Sequence, residues 1–264
     1  MLLHSCKYNS CLTWEFNSSS DPRYEIYGAV RGLCLKVGGV DATGEGIGLG
    51  GVISVVDGVP FFPLDYERKV NGSRVVCRYI INGRPSKYLF NRRNIDSFYA
   101  LLHRTLTPMY LGNRFTRPFY IYLMAVRTIL GVRNMFEKTN PIGVVEATYD
   151  IEDSSIEVDV DLNEVDADGV FVANELSGRL FTQLYVDGVR SRRFEPWMNV
   201  SGCREAVLYS PYLRIAVAIP GLDSCKMFAG REVLARRLNW AGVSYFARPK
   251  ARISYRVVIE DHAA

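Results

Sequence analysis

The chain has 264 residues, 48% of them hydrophobic and 23% charged. That balance excludes disordered and fibrous proteins and is enough to enclose a large core. Polar His4, Ser5, Lys7 and Asn9 interrupt the N-terminus, and Arg127 lies inside the most apolar stretch, 119–132. Neither segment reads as a signal peptide or a bilayer span, so the expectation is a cytoplasmic protein without membrane contact. The net charge of +4 conceals a division of sign. Residues 1–138 carry eighteen basic and ten acidic side chains, residues 139–178 eleven acidic and no basic ones, and residues 179–264 fourteen basic and seven acidic.

Taken in chain order, residues 24–37 alternate and predict a strand, and 47–56 predict a second one behind a glycine-rich approach. Asn82-Gly83, set between 74–81 and 85–90, predicts a hairpin turn. Asn94 can cap a helix over 95–107, because Ile95, Phe98, Tyr99, Leu102 and Leu106 fall on one stripe that stops before Pro108. A second helix is expected within 118–135 from Pro118 onward, although 119–126 also reads as a buried strand. Residues 144–151 are expected to pair with 156–162 through a turn at 152–155. In the latter, Ile156, Val158, Val160 and Leu162 alternate with Glu157, Asp159 and Asp161. Strands follow at 207–219 and 252–259, with a short helix at 230–238. The fold class expected is mainly β: one large antiparallel β-sandwich-like domain over 1–264. Helices are inserted near 95–107 and 118–135, and 1–20 form a peripheral N-terminal segment.

Several patterns bear on chemistry. The run from Thr43 to Gly51 contains a formal G-x-G-x-x-G at Gly46, Gly48 and Gly51, but it leads into a strand rather than the helix a dinucleotide site needs. Gly44, Gly46, Gly48 and Gly50 recur at every second position. A strand so built has a face without side chains, open to another backbone, a ring or a ligand. Carboxylates near it, Asp41, Glu45, Asp57 and Asp65, with Glu175 at the end of the acidic block, are the candidate ligand-binding residues. They suit a polar small molecule such as a carbohydrate, and a converging pair among them would supply acid–base chemistry.

Arg84, Lys87, Arg92 and Arg93 are interleaved with Tyr88 and Phe90, and Arg192 and Arg193 stand beside Phe194 and Trp197. Cations alternating with rings are the pattern of single-stranded nucleic-acid binding, the alternative reading for these residues. A third role is self-association of the acidic strand 156–162 with an Arg-rich surface of another copy. Arg outnumbers Lys by twenty-five to seven, and Gln183 is the only Gln. The expectation is a hot-environment or GC-rich source, either of which would account for the high Arg count. His4, Cys6 and Cys11 lack a fourth ligand for zinc, His103 is expected on the surface of its helix, and the acidic block lacks the glycine of a calcium loop, so no metal or cofactor is expected.

Overall fold

The computed structural model describes residues 2–5, 12–16, 30–89, 93–94, 132–195, 197–234 and 238–261, and every regular element among them is a strand. Accordingly, among the described residues no helix is long and apolar enough to cross a membrane. The chain divides into two compact units, Met1–Gly83 with Thr139–Ala264, and Arg84–Lys138. The expected helix at 95–107 lies outside the described residues, as does that at 118–135 apart from 132–135, which open a strand.

The acidic block takes the form its alternation predicts. In β10 (Ser155–Val165), Ile156, Val158, Val160 and Leu162 are fully buried, and Glu157, Asp159 and Asp161 point the other way. Each buried aliphatic side chain contributes about 1.5–3 kcal/mol, which is why one register is favoured so strongly over its one-residue slip. β9 (Val132–Ile151) pairs antiparallel on one side of β10 and β19 (Arg252–Asp261) on the other. The register sets Glu146 opposite Asp161 and Asp150 opposite Glu157, two like-charge pairs. Arginines of the same chain offset them. Arg252 grips Asp159 with two bonds of 2.8 Å, Arg256 reaches Glu152 and Glu157, Arg78 reaches Glu146 and Glu164, and Arg74 reaches Asp150.

This charged sheet continues beyond β19 through β16 (Ile215–Pro220), β15 (Glu205–Ser210), β12 (Gln183–Val186) and β13 (Val189–Arg190). On its other side β9 adjoins β7 (Arg74–Leu89), which pairs with β6 (Val59–Asn71). β8 (Arg93–Asn94) pairs with the end of β7. The second layer, here the glycine sheet, consists of β5 (Gly48–Val56), β11 (Gly169–Leu176), β18 (Leu238–Ala247), β17 (Lys226–Leu234) and β14 (Met198–Asn199), paired in that order. β6 joins the layers, since Pro60 and Phe61 pair with β5 whereas residues from Phe62 onward pair with β7. A smaller ribbon of β1 (Leu2–Ser5), β2 (Leu12–Phe16), β3 (Leu33–Val37) and β4 (Val40–Asp41) meets β5 at Leu33 and Leu49.

Between the layers lies one apolar core threaded by a tyrosine network. The Tyr149 hydroxyl donates to Gly50 O at 3.0 Å and lies 2.9 Å from the Tyr79 hydroxyl. Gly50 N donates to Asn174 Oδ1 at 3.1 Å, and the Tyr255 hydroxyl donates to the same oxygen at 2.9 Å. One residue of the glycine sheet, Gly50, is thus held at both its N–H and its C=O, in part by side chains of the opposite sheet. Burial pushes the pKa values of Tyr79, Tyr149 and Tyr255 up, so all three stay neutral donors.

Three local expectations are corrected. Asn82-Gly83 is not a turn: it lies inside β7, and the chain reverses instead at Gly72 (φ +59). Asn82 is buried because its side chain repairs a bulge in β6, accepting from Leu64 N at 3.1 Å and donating to Asp65 Oδ2 at 2.6 Å. Gly83 leaves space for Leu64, whose Cγ would stand 2.5 Å from a Cβ there. Residues 230–234 and 238 form strand rather than helix, because Gly230 to Leu234 pair in register with Gly242 to Leu238. The alternate glycines do not make a bare strand face. Gly44 and Gly46 lie in the turn before β5, while Gly48 (φ +86) and Gly50 (φ +67) kink the strand, which shifts register between Ala173 and Glu175.

Candidate functional site

The outward face of the glycine sheet follows from the register. Ile53, Phe171 and Phe246 form one row across β5, β11 and β18. Gly51, Ala173, Ser244 and Phe228 form the next, reaching β17. Then come Gly48, Glu175, Gly242 and Gly230, and beyond them Trp240 beside Glu232. The first two rows carry a cluster of rings. Phe171 lies 4.7 Å from Phe246, 6.4 Å from Phe228 and 5.6 Å from Trp197, and Trp197 lies 5.9 Å from Trp240. Their tilted arrangement is the favourable one for aromatic quadrupoles.

Trp197 is 44% exposed, although large apolar side chains are usually covered. It is also held at φ +62, a conformation that bulky residues seldom adopt. Among the described residues four other non-glycine residues have positive φ; two of them, Asp57 and Asp187, precede glycines in tight hairpins. Trp197 instead closes the connection from β13 to β14. Strain of this kind persists where surrounding contacts hold it, and here Phe171 and Trp240 do so.

Glu175 lies at the centre of the face and is only 3% exposed. Its Oε2 accepts a bond from Ile47 N at 3.1 Å, and Oε1 has no hydrogen-bond partner among the described residues. Burial pushes its carboxyl up to about 7, against the pull of the Ile47 amide and the Arg31 charge, while the charge of Glu232 adds to the rise. The turn carrying Ile47 packs directly on β11: a Cβ at Gly46 would stand 2.8 Å from the Glu175 carbonyl, and one at Gly44 2.9 Å from Ser177 Cβ. Buried Arg31 ties down the turn, with Nη2 donating to the carbonyls of Gly44 (2.8 Å) and Gly46. On the far side of Glu175, a Cβ at Gly242 would meet Glu175 Cγ at 2.8 Å. Gly44 and Gly46 thus let the turn lie directly on the β11 backbone and Gly242 leaves room for the Glu175 side chain, so the close approach inferred from sequence is real while its geometry differs.

Of the other predicted ligand residues, Asp41 and Glu45 share the turn that packs on Glu175, whereas Asp57 and Asp65 lie elsewhere. Asp41 caps the glycine turn, with Oδ1 accepting from Thr43 N at 3.0 Å and Gly44 N at 2.8 Å. Glu45 sits in the same turn, its Oε2 buried without a hydrogen-bond partner among the described residues. Asp57 is exposed at the far end of β5, roughly 30 Å from Gly48 at a rise of about 3.3 Å per residue. Its amide donates to Asp168 Oδ2 at 2.6 Å, a turn contact. Asp65 belongs to the charged-sheet part of β6 and serves the bulge.

Among the basic residues, Arg192 and Arg193 are exposed in the connection after β13, in the larger unit. Arg84 is exposed on β7 and Arg93 lies in β8, in the smaller one. The side chain of Lys87, and Arg92 and His103 altogether, lie outside the described residues. Among the described residues no three His, Cys, Asp or Glu side chains are grouped to hold a metal ion.

Sequence reading missed Phe171, Glu232, Trp240 and Phe246 and assigned Trp197 to a cationic cluster. One signal was present: Trp240, Gly242, Ser244 and Phe246 alternate on a single strand face.

No protein-family model matches the chain, and no curated protein matches it. Among solved structures the chain is similar to the alpha-N-acetylgalactosaminidase NagBb from Bifidobacterium bifidum, solved as a GalNAc complex. The TM-score is 0.50 at 11% identity, over 99% of this chain and 36% of that one. The chain thus spans about a third of that protein's length. It also aligns with a putative aldose 1-epimerase from Escherichia coli K12, at TM-score 0.41 and 6% identity over 98% of this chain and 99% of that one. A galactose mutarotase-like protein from Lactobacillus casei aligns at TM-score 0.41 and 7% identity, with the same coverage. What the likeness to NagBb shows is the fold, an antiparallel β-sandwich.

Proposed function

We propose that this chain is a carbohydrate-binding β-sandwich whose ligand lies on the outward face of the glycine sheet. The observation that carries the reading is the exposed, strained Trp197 packed against Phe171 and Trp240, on the sheet face that also carries Glu175 and Glu232. A sugar ring presents an apolar C–H face and a polar rim. Rings on the protein match the first, and carboxyl groups on a floor of glycines match the second. The shared fold with NagBb, whose structure holds GalNAc, adds support by analogy alone.

Intrinsic fluorescence tests this directly, because Trp197 and Trp240 are two of the three tryptophans and Trp14 is buried in the core. Titration with galactose, glucose, mannose and N-acetylhexosamines should change the emission for at least one sugar. Trp197→Ala should weaken that sugar about tenfold, the equivalent of one lost stacking contact. A wild-type spectrum that no sugar perturbs, with no heat of binding by calorimetry, would refute the reading.

A further inference from the structure

We infer that the sugar bound on the outward face of the glycine sheet is anionic, its carboxylate or sulfate group held by Lys226 and Arg248. The inference rests on the binding reading above and names the class of sugar. The register supplies the placement. Lys226, the first residue of β17, pairs directly with Phe246 on β18, so the outward row reads Ile53, Phe171, Phe246 and Lys226. Side chains opposed in this way start about 5 Å apart. The Phe246 ring turns the other way, over β11, where a Cβ at Gly169 would stand 2.2 Å from its Cζ. Lys226 is exposed beside it. Arg248, also exposed, follows Phe246 by two residues just past the end of β18, with buried Ala247 between them, so the alternation of the strand directs it to the same face.

Neither cation is neutralised. Lys226 and Arg248 make no ion pair and no side-chain hydrogen bond among the described residues. On the charged sheet, by contrast, Arg74, Arg78, Arg252 and Arg256 all lie within ion-pair distance of carboxylates. Of the carboxylates at this end of the face, Asp168 accepts the Asp57 amide at 2.6 Å, and Asp223, three residues before Lys226, makes no ion pair among the described residues. Glu232 lies six residues along β17 from Lys226, about 20 Å at a rise of about 3.3 Å per residue, where salt screens its charge. Arg192 and Arg193 are exposed on the segment leading into Trp197, likewise without ion pairs among the described residues, and add positive charge at the other approach to the rings. Like charges on neighbouring strands repel, and an anion between them removes that cost.

The rings set where the sugar lies, and the cations set which sugar it is. Phe171 and Lys226 stand two strand spacings apart, about 10 Å, a span that one sugar substituent and an extended lysine bridge together. A sugar with its C–H face on Trp197 and Phe171 therefore brings an exocyclic carboxylate or sulfate, pointed along the row, to Lys226. Single-stranded nucleic acid also uses rings and cations, but it lays successive bases on separate platforms. Here the rings form one cluster, tilted 49–59° against one another, in which Trp197 is exposed while Phe171, Phe228, Phe246 and Trp240 are partly or fully buried. That arrangement suits a single sugar ring better than a track of bases.

The test is a titration followed by tryptophan emission and calorimetry, pairing galacturonic acid and galactose-6-sulfate each with galactose, and glucuronic acid with glucose. At about 20 mM salt at least one anionic sugar is expected to bind about tenfold more tightly than its neutral parent, and at about 200 mM salt that ratio should shrink. Preference for a carboxylate or for the sulfate supports the inference either way and tells which anion the cations hold. The double variant Lys226→Gln with Arg248→Gln should bring the anionic sugar down to the affinity of its neutral parent. Lys226→Arg should keep the preference, a rescue that separates lost charge from lost packing. Equal affinity for anionic and neutral sugars in the wild type, or an undiminished ratio in the double variant, overturns the inference and leaves the binding reading intact. An oligothymidylate of about ten nucleotides that binds with steep salt dependence, while no anionic sugar outbinds its parent, assigns the cations to nucleic acid and overturns it too. Absence of any sugar binding, neutral or anionic, overturns both.

Discussion

On the charged sheet, Asp159 points outward to a two-pronged contact with Arg252, and its neighbours Glu157 and Asp161 stand among further arginines. On the glycine sheet, Glu175 points outward too, yet it is buried, with glycines set around it and its charge suppressed. Both faces are built on the same pleat, and the difference lies in how the carboxylates are treated. Exposed ion pairs are individually weak and easily exchanged, so the first face is adequately explained as a solvated one. A buried carboxyl under a glycine turn is costly, as is a strained tryptophan on the same sheet face, and costs of that kind concentrate where a protein binds or reacts.

Substitutions at the two faces should therefore differ in size. The largest effect is expected at Gly50, where a side chain meets both positive φ and Tyr149 Cε1 at 2.8 Å. Gly50→Val should cost about 3 kcal/mol or more in chemical denaturation, adding backbone strain to overpacking. Glu175 comes next, through pH. Its carboxyl rises on folding from 4.5 to about 7, so between those values the folded chain holds a proton that the unfolded chain has lost. Stability contributed by this group is complete below pH 4.5 and declines as pH rises toward 7, by at most about 3 kcal/mol. Glu175→Gln, which keeps an acceptor for Ile47 N, should remove that decline from a series of denaturation curves.

Tyr149→Phe should cost about 1–3 kcal/mol, because Gly50 O and the Tyr79 hydroxyl each lose a buried partner. It should also weaken sugar binding by loosening the kink beside Glu175. The smallest effect is expected at Arg252→Ala, which should leave sugar affinity unchanged and barely move the denaturation midpoint at moderate salt. A larger loss at Arg252 than at Tyr149 would reverse the comparison.

Much of the charged sheet was legible in the sequence, and little of the glycine sheet was. Residues 144–162 pair locally, so period-two alternation and one turn suffice to place them. Glu175 instead meets Ile47 across 128 residues, and no local pattern encodes such a contact. Trp240, Gly242, Ser244 and Phe246 carry their alternation openly, but the arginines at 231, 236 and 237 just before them blur where the strand begins. Asn82-Gly83 misled for a physical reason. The side-chain amide that suits Asn to a turn also suits it to patching a bulge, and only the partner strand decides between the two.

Solving the structure of the chain soaked with whichever monosaccharide perturbs its tryptophan emission tests the central claim most directly. The prediction is a sugar ring in contact with Trp197, with its hydroxyl groups bonded toward Glu175 and Glu232. A sugar bound elsewhere, with this aromatic row untouched, would contradict it.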